Sequence, residues 1–396
     1  MPYNRNSPHK KIFNEFSRLN SQDRSILAAI SHNIIDEDPS KYLSRDAAQL
    51  YLSKINKPKF RTKNKDKTFT FIDLFAGIGG FRMAMQNLGG KCVFTSEWDL
   101  KAQETYFHNF GDIPFGDITL KATKAKIPKE FDLLCAGFPC QAFSIAGKRG
   151  GFEDTRGTLF FDVAEIIKEH RPKGIFLENV KGLINHKSGK TLETILNVLR
   201  DDLNYIVPEP KIINAKHFGV PQNRERIFIV GFRKEDFEEE ALSFQYPQPS
   251  GKKVTIHEIL EKNTVPVNYY LSRQYLDTLI RHRKRHAEKG NGFGFQIIKN
   301  NDVANAIVVG GMGRERNLVQ DNGPKDFTPI THIKGEVNRE GIRKMTPREW
   351  ARLQGFPDSF DFPVADVHAY KQLGNSVAVP AIQETAKRII NVINKQ

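Results

Sequence analysis

The sequence predicts an α/β fold, a doubly wound and mostly parallel sheet carrying a smaller inserted domain and a short helical N-terminal extension. Three observations carry this. From Thr68, apolar runs of strand length alternate with segments of helical period, the signal of parallel strands joined by helices. A glycine-rich turn, Asp73-Leu74-Phe75-Ala76-Gly77-Ile78-Gly79-Gly80, follows the first of these strands and opens a helix. Between residues 235 and 340 the alternation stops, and Gly, Asn, Arg and Lys dominate.

Residues 1–68 are expected to form helices and a tether. Ile12, Phe13, Phe16 and Leu19 fall at helical spacing, as do Ile26, Leu27, Ile30 and Ile34. Ser44 can cap a third helix through Ala47, Leu50 and Ile55, before the basic, Pro-punctuated linker Lys57–Lys65. A helix-turn-helix is conceivable there, but no turn signature marks one. Residues 69–234 are expected to form the main domain, with strands at Phe69–Phe75, Cys92–Ser96, Phe131–Ala136, Gly174–Leu177, Ile206–Ile213 and Arg226–Phe232. Helices are expected at Leu159–His170 and Thr191–Leu203. Residues 235–340 form the inserted domain. Residues 341–396 complete the first domain, with helices at Met345–Leu353 and Pro380–Ile393.

Lys and Arg outnumber Asp and Glu by 60 to 46, a net charge of +14, which favours a polyanionic partner, nucleic acid before anionic membrane. No apolar run approaches the ~20 residues of a membrane span, and the first residues lack a signal-peptide core. Three cysteines and no His/Cys cluster at zinc spacing argue against a disulfide framework or a metal site. A cytoplasmic chain with reduced thiols is expected.

The glycine turn is not the full dinucleotide fingerprint, because Arg82 stands where the third glycine would be. Glu97, at the end of the second strand, can accept hydrogen bonds from ribose hydroxyls. Trp98 can stack on adenine, and Asp117-Ile118, read as part of the third strand, can reach the base edge. Such a site suits an adenosine without a required diphosphate, as in S-adenosylmethionine. The competing reading is a tight structural turn in which Asp73 caps the helix.

Phe138-Pro139-Cys140-Gln141 lies just past a strand end, and Glu178 of Glu178-Asn179-Val180 ends the next strand. A thiol and a carboxyl at the same edge of an α/β sheet suggest a nucleophile and an acid in one pocket. Cys92 and Cys135 lie in apolar runs and read as small core residues. Burial would raise the Glu178 pKa and let it protonate a heterocycle nitrogen. Arg224 and Arg226, in Gln222-Asn223-Arg224-Glu225-Arg226, can hold the same ring, or form an ion-pair ladder with Glu225. Ser144–Gly151, with Lys148 and Arg149, suits a lid that closes over phosphate, or a plain surface loop.

Together the stretches DLFAGIGGFR, GFPCQAFS, ENV, QNRER, MTPREWARLQGFPD and QLGNSV resemble, in order, the bacterial restriction–modification cytosine-5 DNA methyltransferases. The resemblance runs from about Phe69 to the C-terminus and leaves residues 1–68 outside. It implies a flipped cytosine, attacked at carbon 6 by Cys140, with Glu178 at ring nitrogen 3, Arg224 positioning the base, and S-adenosylmethionine as donor to carbon 5. It implies a cofactor site from Phe75, Gly77, Gly79, Glu97, Trp98, Asp117, Ile118, Pro139, Leu159, Asn375 and Ser376. Gln141 and Ser144 fall on the closing loop, and residues 235–340 become a target-recognition domain. GNGFGF and VVGGMGRERN look most like methylases of CCGG or CCNGG-type palindromes; CCGG, with the inner cytosine modified, is favoured, and Arg314 and Arg316 are guesses at base readers. Double-stranded DNA, a monomeric state and a cognate restriction endonuclease are the expected partners. Two alternatives stay open: a tRNA cytosine-5 methyltransferase, although its Cys-Phe-Thr stretch is missing here, and a DNA-binding regulator acting through the N-terminal helices.

Overall fold

A computed structural model describes residues 59–60, 69–139, 159–251, 253–290, 294–309, 314–328, 333 and 335–395. The N-terminal helices of the sequence reading lie outside the described residues, as do Cys140, Gln141, Ser144, Lys148 and Arg149.

Seven strands, β1 (Phe69–Leu74), β2 (Gly90–Ser96), β3 (Leu133–Ala136), β4 (Gly174–Val180), β5 (Tyr205–Ile206), β6 (Lys211–Asn214) and β8 (Glu225–Arg233), form the central sheet in the order β2-β1-β3-β4-β8-β5, with β6 also on β8; β7 (Gln222–Asn223) pairs with Ala304–Asn305 outside it. β1, β2, β3 and β4 run parallel. β8 runs antiparallel to β4, and β5 and β6 antiparallel to β8. The single strand expected over Ile206–Ile213 is thus two short ones. Pro208 and Pro210 interrupt it because neither offers a backbone donor to the ladder.

Both faces of the sheet are covered, which is why its strands read as near-continuous apolar runs. Phe71, Leu133, Cys135, Phe176, Phe228 and Val230 point into one core, and Ile72, Leu134, Ala136, Ile175, Leu177 and Ile229 into the other. On the first face α1 (Gly80–Asn87) packs against the closing helix, Val379–Ile393. On the second lies the helix Leu159–His170, with the bounds the sequence predicted. Gly79, at φ +88, lies so close to Phe110 that a Cβ would meet its ring at 2.3 Å, so both the backbone and the space demand glycine.

The composition change at residue 235 does not coincide with an edge of the core. Phe237, Ala241, Phe244, Tyr246, Ile256 and Ile259 still belong to the first cluster. Separate small cores begin only with Val265, Tyr270 and Val337, and with Leu271, Leu276, Leu279, Phe295, Leu318 and Ile342. Residues 59–60 of the linker are docked on the core. The Lys59 and Phe60 amides both donate to the Asn109 carbonyl, at 2.9 and 3.1 Å, and the Phe60 ring lies 5.9 Å from those of Phe110 and Phe360.

Candidate active site

The antiparallel β4–β8 ladder builds the acid. Glu178 pairs with Phe228 and Val180 with Arg226, so Glu178 and Arg226 are diagonal neighbours on one face. The Arg226 Nε lies 3.1 Å from a Glu178 carboxylate oxygen. Burial pushes the Glu178 carboxyl above its usual range; Arg226 first, then Arg224, pull it back. Both arginines and Glu178 line one crevice with Phe228, Val377 and Ala378.

Arg224 does something different from Arg226. Its guanidinium is buried and donates to three backbone carbonyls: Ile307 at 2.9 Å, Gly374 at 3.2 Å and Ser376 at 2.6 Å. Burial, then the neighbouring Arg226 charge, lowers its pKa to about 9. The residues alone let either arginine hold the ring and the resemblance puts Arg224 there; both terminal nitrogens of Arg224 bond carbonyls, and Arg226 is the cation that touches Glu178.

The thiol loop is tied to the same strand end. The Asn179 side-chain amide donates to the Phe138 carbonyl at 2.9 Å, and a Cβ on Gly137 would lie 3.8 Å from a Glu178 carboxylate oxygen. Cys140 follows Phe138 by two residues and itself lies outside the described residues. The other thiols are unsuited to attack. Cys135 is fully buried and its thiol is held well above the ordinary value; burial pushes Cys92 up to about 11.

The cofactor turn lies at the carboxyl ends of β1 and β2. Glu97 is buried; one carboxylate oxygen accepts from the Gly77 amide and the other from the Asp99 amide, each at 2.8 Å. The Trp98 amide also bonds this carboxylate, and with about four lone-pair positions one remains for a ribose hydroxyl. Trp98 is exposed beside it. Space over Gly77 is open, since a Cβ there would meet nothing within 4 Å. These features fit an adenosine ligand. Asp117 is not on the third strand. It follows a single bridge, Ser96–Phe115, next to the end of β2, and its carboxylate accepts from Thr119 N and Oγ1 at 2.9 Å. Ile118 is buried, Leu159 half-buried, and Phe75 half-buried at φ +56; Pro139 is exposed.

Arg82 is buried away from the turn, paired with Asp112 and donating to the Tyr106 hydroxyl at 3.1 Å. Asp73 is buried below the turn, and burial raises its pKa to about 8 against the pull of Arg82. Asn375 is exposed and Ser376 buried; the Ser376 hydroxyl would lie 3.1 Å from a Cβ on Gly80, which brings the C-terminal segment onto the turn.

Buried side-chain amides that the sequence reading left without a role knit these parts together. Gln372 receives the Thr105 hydroxyl at 3.0 Å and donates to the Lys101 carbonyl at 2.7 Å. Gln354 donates to the Leu373 and Ser376 carbonyls at 2.8 and 3.1 Å. Gln222 donates to the Leu353 carbonyl at 2.8 Å and accepts the Ile307 amide at 3.0 Å. All stand inside the quoted motifs; Gln354 lies among apolar residues, whereas Gln222 and Gln372 have charged or polar neighbours and carry no such local signal. Arg314 and Arg316 are exposed, and Arg314 lies 5.5 Å from the centre of the Tyr370 ring.

A family model for C-5 cytosine-specific DNA methylases matches residues 69–391. The chain is 67% identical over 361 residues to Type II methyltransferase M.HpaII of Haemophilus parainfluenzae, covering 91% of this chain and 97% of that protein. It is 44% identical over 328 residues to Type II methyltransferase M.DsaV of Dactylococcopsis salina, covering 83% and 88%. The solved Entamoeba histolytica methyltransferase EhMeth superposes with a TM-score of 0.61 at 20% identity, over 82% of this chain and 99% of that one, a likeness of fold.

Proposed function

The chain belongs to the C-5 cytosine-specific DNA methylase family, and from that premise we propose that Cys140 is its nucleophile, Glu178 and Arg226 its base-binding acid, and Arg224 the strut that holds them. The protein is a DNA cytosine-5 methyltransferase, and S-adenosylmethionine is its methyl donor. The observation that carries the assignment is the diagonal Glu178–Arg226 pair at 3.1 Å, with Asn179 bonding the carbonyl two residues before Cys140.

A cytosine ring cannot be attacked inside the stack, so the base is extruded toward the Glu178–Arg226 pair. The Cys140 thiolate forms a bond to carbon 6. Glu178, its pKa raised by burial, gives a proton to ring nitrogen 3 as charge develops there, while Arg226 holds the carboxyl in place. Carbon 5 then carries the electron pair. Bound S-adenosylmethionine supplies the electrophilic methyl group; Glu97, Trp98, Asp117 and Ser376 would hold it. Water or another base takes the carbon 5 proton, the Cys140–carbon 6 bond breaks, and the proton on nitrogen 3 returns to Glu178.

Arg224 acts at one remove. It joins Ile307 of the 235–340 block to the Gly374–Ser376 turn behind the base pocket. Lysine keeps the charge but not the fork. Arg224→Lys is therefore expected to cost roughly 10–100-fold in kcat/KM, the loss of one or two charge-assisted bonds. KM for both cofactor and DNA should rise. A fall in kcat with both KM values unchanged would instead mean that Arg224 touches the base.

The target follows the reading of GNGFGF and VVGGMGRERN: a short palindrome, CCGG with the inner cytosine modified. The 235–340 block recognises it, with Arg314 and Arg316 available to base edges and Gln141, Ser144, Lys148 and Arg149 on the closing loop. We place the protein in the cytoplasm on DNA as a monomer, paired with a restriction endonuclease of the same specificity. Among the described residues no helix is long and apolar enough to cross a membrane. Bisulfite sequencing of plasmid DNA from cells expressing the protein tests this directly. The inner cytosine of CCGG should be protected; protection within CCNGG moves the specificity, and methylated tRNA with unmodified plasmid overturns the substrate.

A further inference from the structure

The helix Arg273–Glu288, here α2, carries the basic run Arg281-His282-Arg283-Lys284-Arg285-His286 that the reaction does not use. Its two halves differ. Leu276 and Leu279 are buried in the core with Phe295, Leu318 and Ile342; no later residue of the helix is buried. Arg281, Lys284, Arg285 and Lys289 are exposed. Among the described residues the ion pairs of this helix are made by Arg273, to Asp277 and Glu340. Arg283 stands apart, stacked 5.5 Å over the Phe295 ring.

Arg281, Arg285 and Lys289 follow at four-residue intervals, and Lys284 is three from Arg281. On a helix these are surface neighbours, and like charges at such spacing destabilise it. The C-terminal dipole favours cations only in the last turn, where Arg285 and His286 stand. It does not account for a stripe that begins a turn earlier. A polyanion laid along the stripe removes the repulsion.

The stripe has a fixed place relative to the recognition segment. The Tyr275 hydroxyl donates to Glu315 at 3.2 Å, and Glu315 stands between Arg314 and Arg316. At ~1.5 Å per residue, Arg281 to Lys289 lie roughly 9 to 21 Å along the helix axis from Tyr275. Carried along a duplex at ~3.4 Å per base pair, that is about three to six base pairs away, beyond a four-base-pair site read by the 314–316 segment.

We propose that Arg281, Lys284, Arg285 and Lys289 form an anchor for the phosphate backbone of DNA flanking the recognition site. The proposal rests on the DNA-methylase reading and adds a contact outside the methylated sequence. It gives affinity and a hold on long DNA, not base specificity, because phosphates carry no sequence.

The test compares the full-length protein with the variant Arg281→Gln/Arg285→Gln/Lys289→Gln on duplexes of about 6 and about 30 base pairs centred on one CCGG, the shorter closed at its ends by uncharged linkers so that its phosphates stop where the proposed contacts begin. Affinity is measured by fluorescence anisotropy over a salt series, and methyl transfer on the short duplex is measured in parallel. The wild type should show a steeper salt dependence on the long duplex. The variant should lose roughly 2 to 3 units of that slope on the long duplex, at ~0.9 per phosphate contact. Its affinity for and methylation of the short one should be unchanged. Equal slopes on both duplexes for the wild type, or an unchanged slope in the variant, overturn the anchor, the latter leaving an acidic protein surface as the partner to seek. Equal losses on both duplexes also overturn it, by placing the stripe on the recognition site itself. The variant Arg281→Lys/Arg285→Lys, with Lys289 unchanged, should keep the wild-type slope, which separates charge from folding. Failure of the wild type to methylate the short duplex would count against the methylase reading or its CCGG target, not against the anchor.

Discussion

Replacing Cys140 with serine is expected to lower kcat by on the order of 10³-fold or more, because a hydroxyl is ionised far less than a thiol near neutral pH. S-adenosylmethionine binding should survive, since the residues proposed for it, Glu97, Trp98, Asp117 and Ser376, lie on other segments of the chain. Cys135 is sealed in the sheet between Asp73 on β1 and Phe176 on β4, and its thiol is held well above the ordinary value. Cys92 is raised to about 11 and donates to the Phe94 carbonyl at 3.3 Å. Neither offers a thiolate at pH 7. Duplex DNA with 5-fluorocytosine at the target should trap a covalent adduct, because no proton can leave carbon 5. Peptide mapping should place it on Cys140. Turnover by the serine variant, or an adduct on Cys92, would remove the nucleophile from this scheme.

The strand–helix alternation from Phe69 was legible because a sheet covered on both faces forces unbroken apolar runs, and each of β1 to β4 lies within or overlaps an expected strand. The closing helix, expected from Pro380, begins at Val379. Legibility failed where long-range contacts decide. The edge of the inserted block was read from a change in composition, yet Phe237 to Ile259 pack into the first core through residues spaced too irregularly to show a period. Asp117 was assigned to a strand, although its position depends on one bridge to Ser96. The two arginines of QNRER looked equivalent. Their roles part only because the chain from Ile307 and the turn at Gly374–Ser376 come back to Arg224 from 83 and 150 or more residues away, which no local pattern encodes.

Glu178→Gln is expected to lower kcat by roughly 10²–10⁴-fold, the usual worth of a positioned general acid. An amide keeps the shape and a hydrogen bond to nitrogen 3 but gives up no proton. The pH profile makes the test specific. Burial raises the Glu178 pKa, so kcat should fall as pH rises through that raised value and the carboxyl loses the proton it must donate. Arg226 opposes the shift, so Arg226→Gln should move the alkaline fall to higher pH even as positioning is lost and the maximum declines. The fall should vanish in Glu178→Gln; if it persists, it belongs to another group. Stability separates this from misfolding. A carboxyl whose folded pKa lies above its unfolded one costs stability as pH rises from the unfolded value through the folded one. The glutamine variant should therefore melt no lower than the wild type at pH 8, and the advantage should shrink toward pH 4. An inactive protein that is as stable as its parent, and that has lost one limb of its pH profile, identifies Glu178 as the acid; a variant that melts well below the parent at pH 8 would show that Arg226 needs the charge more than burial opposes it.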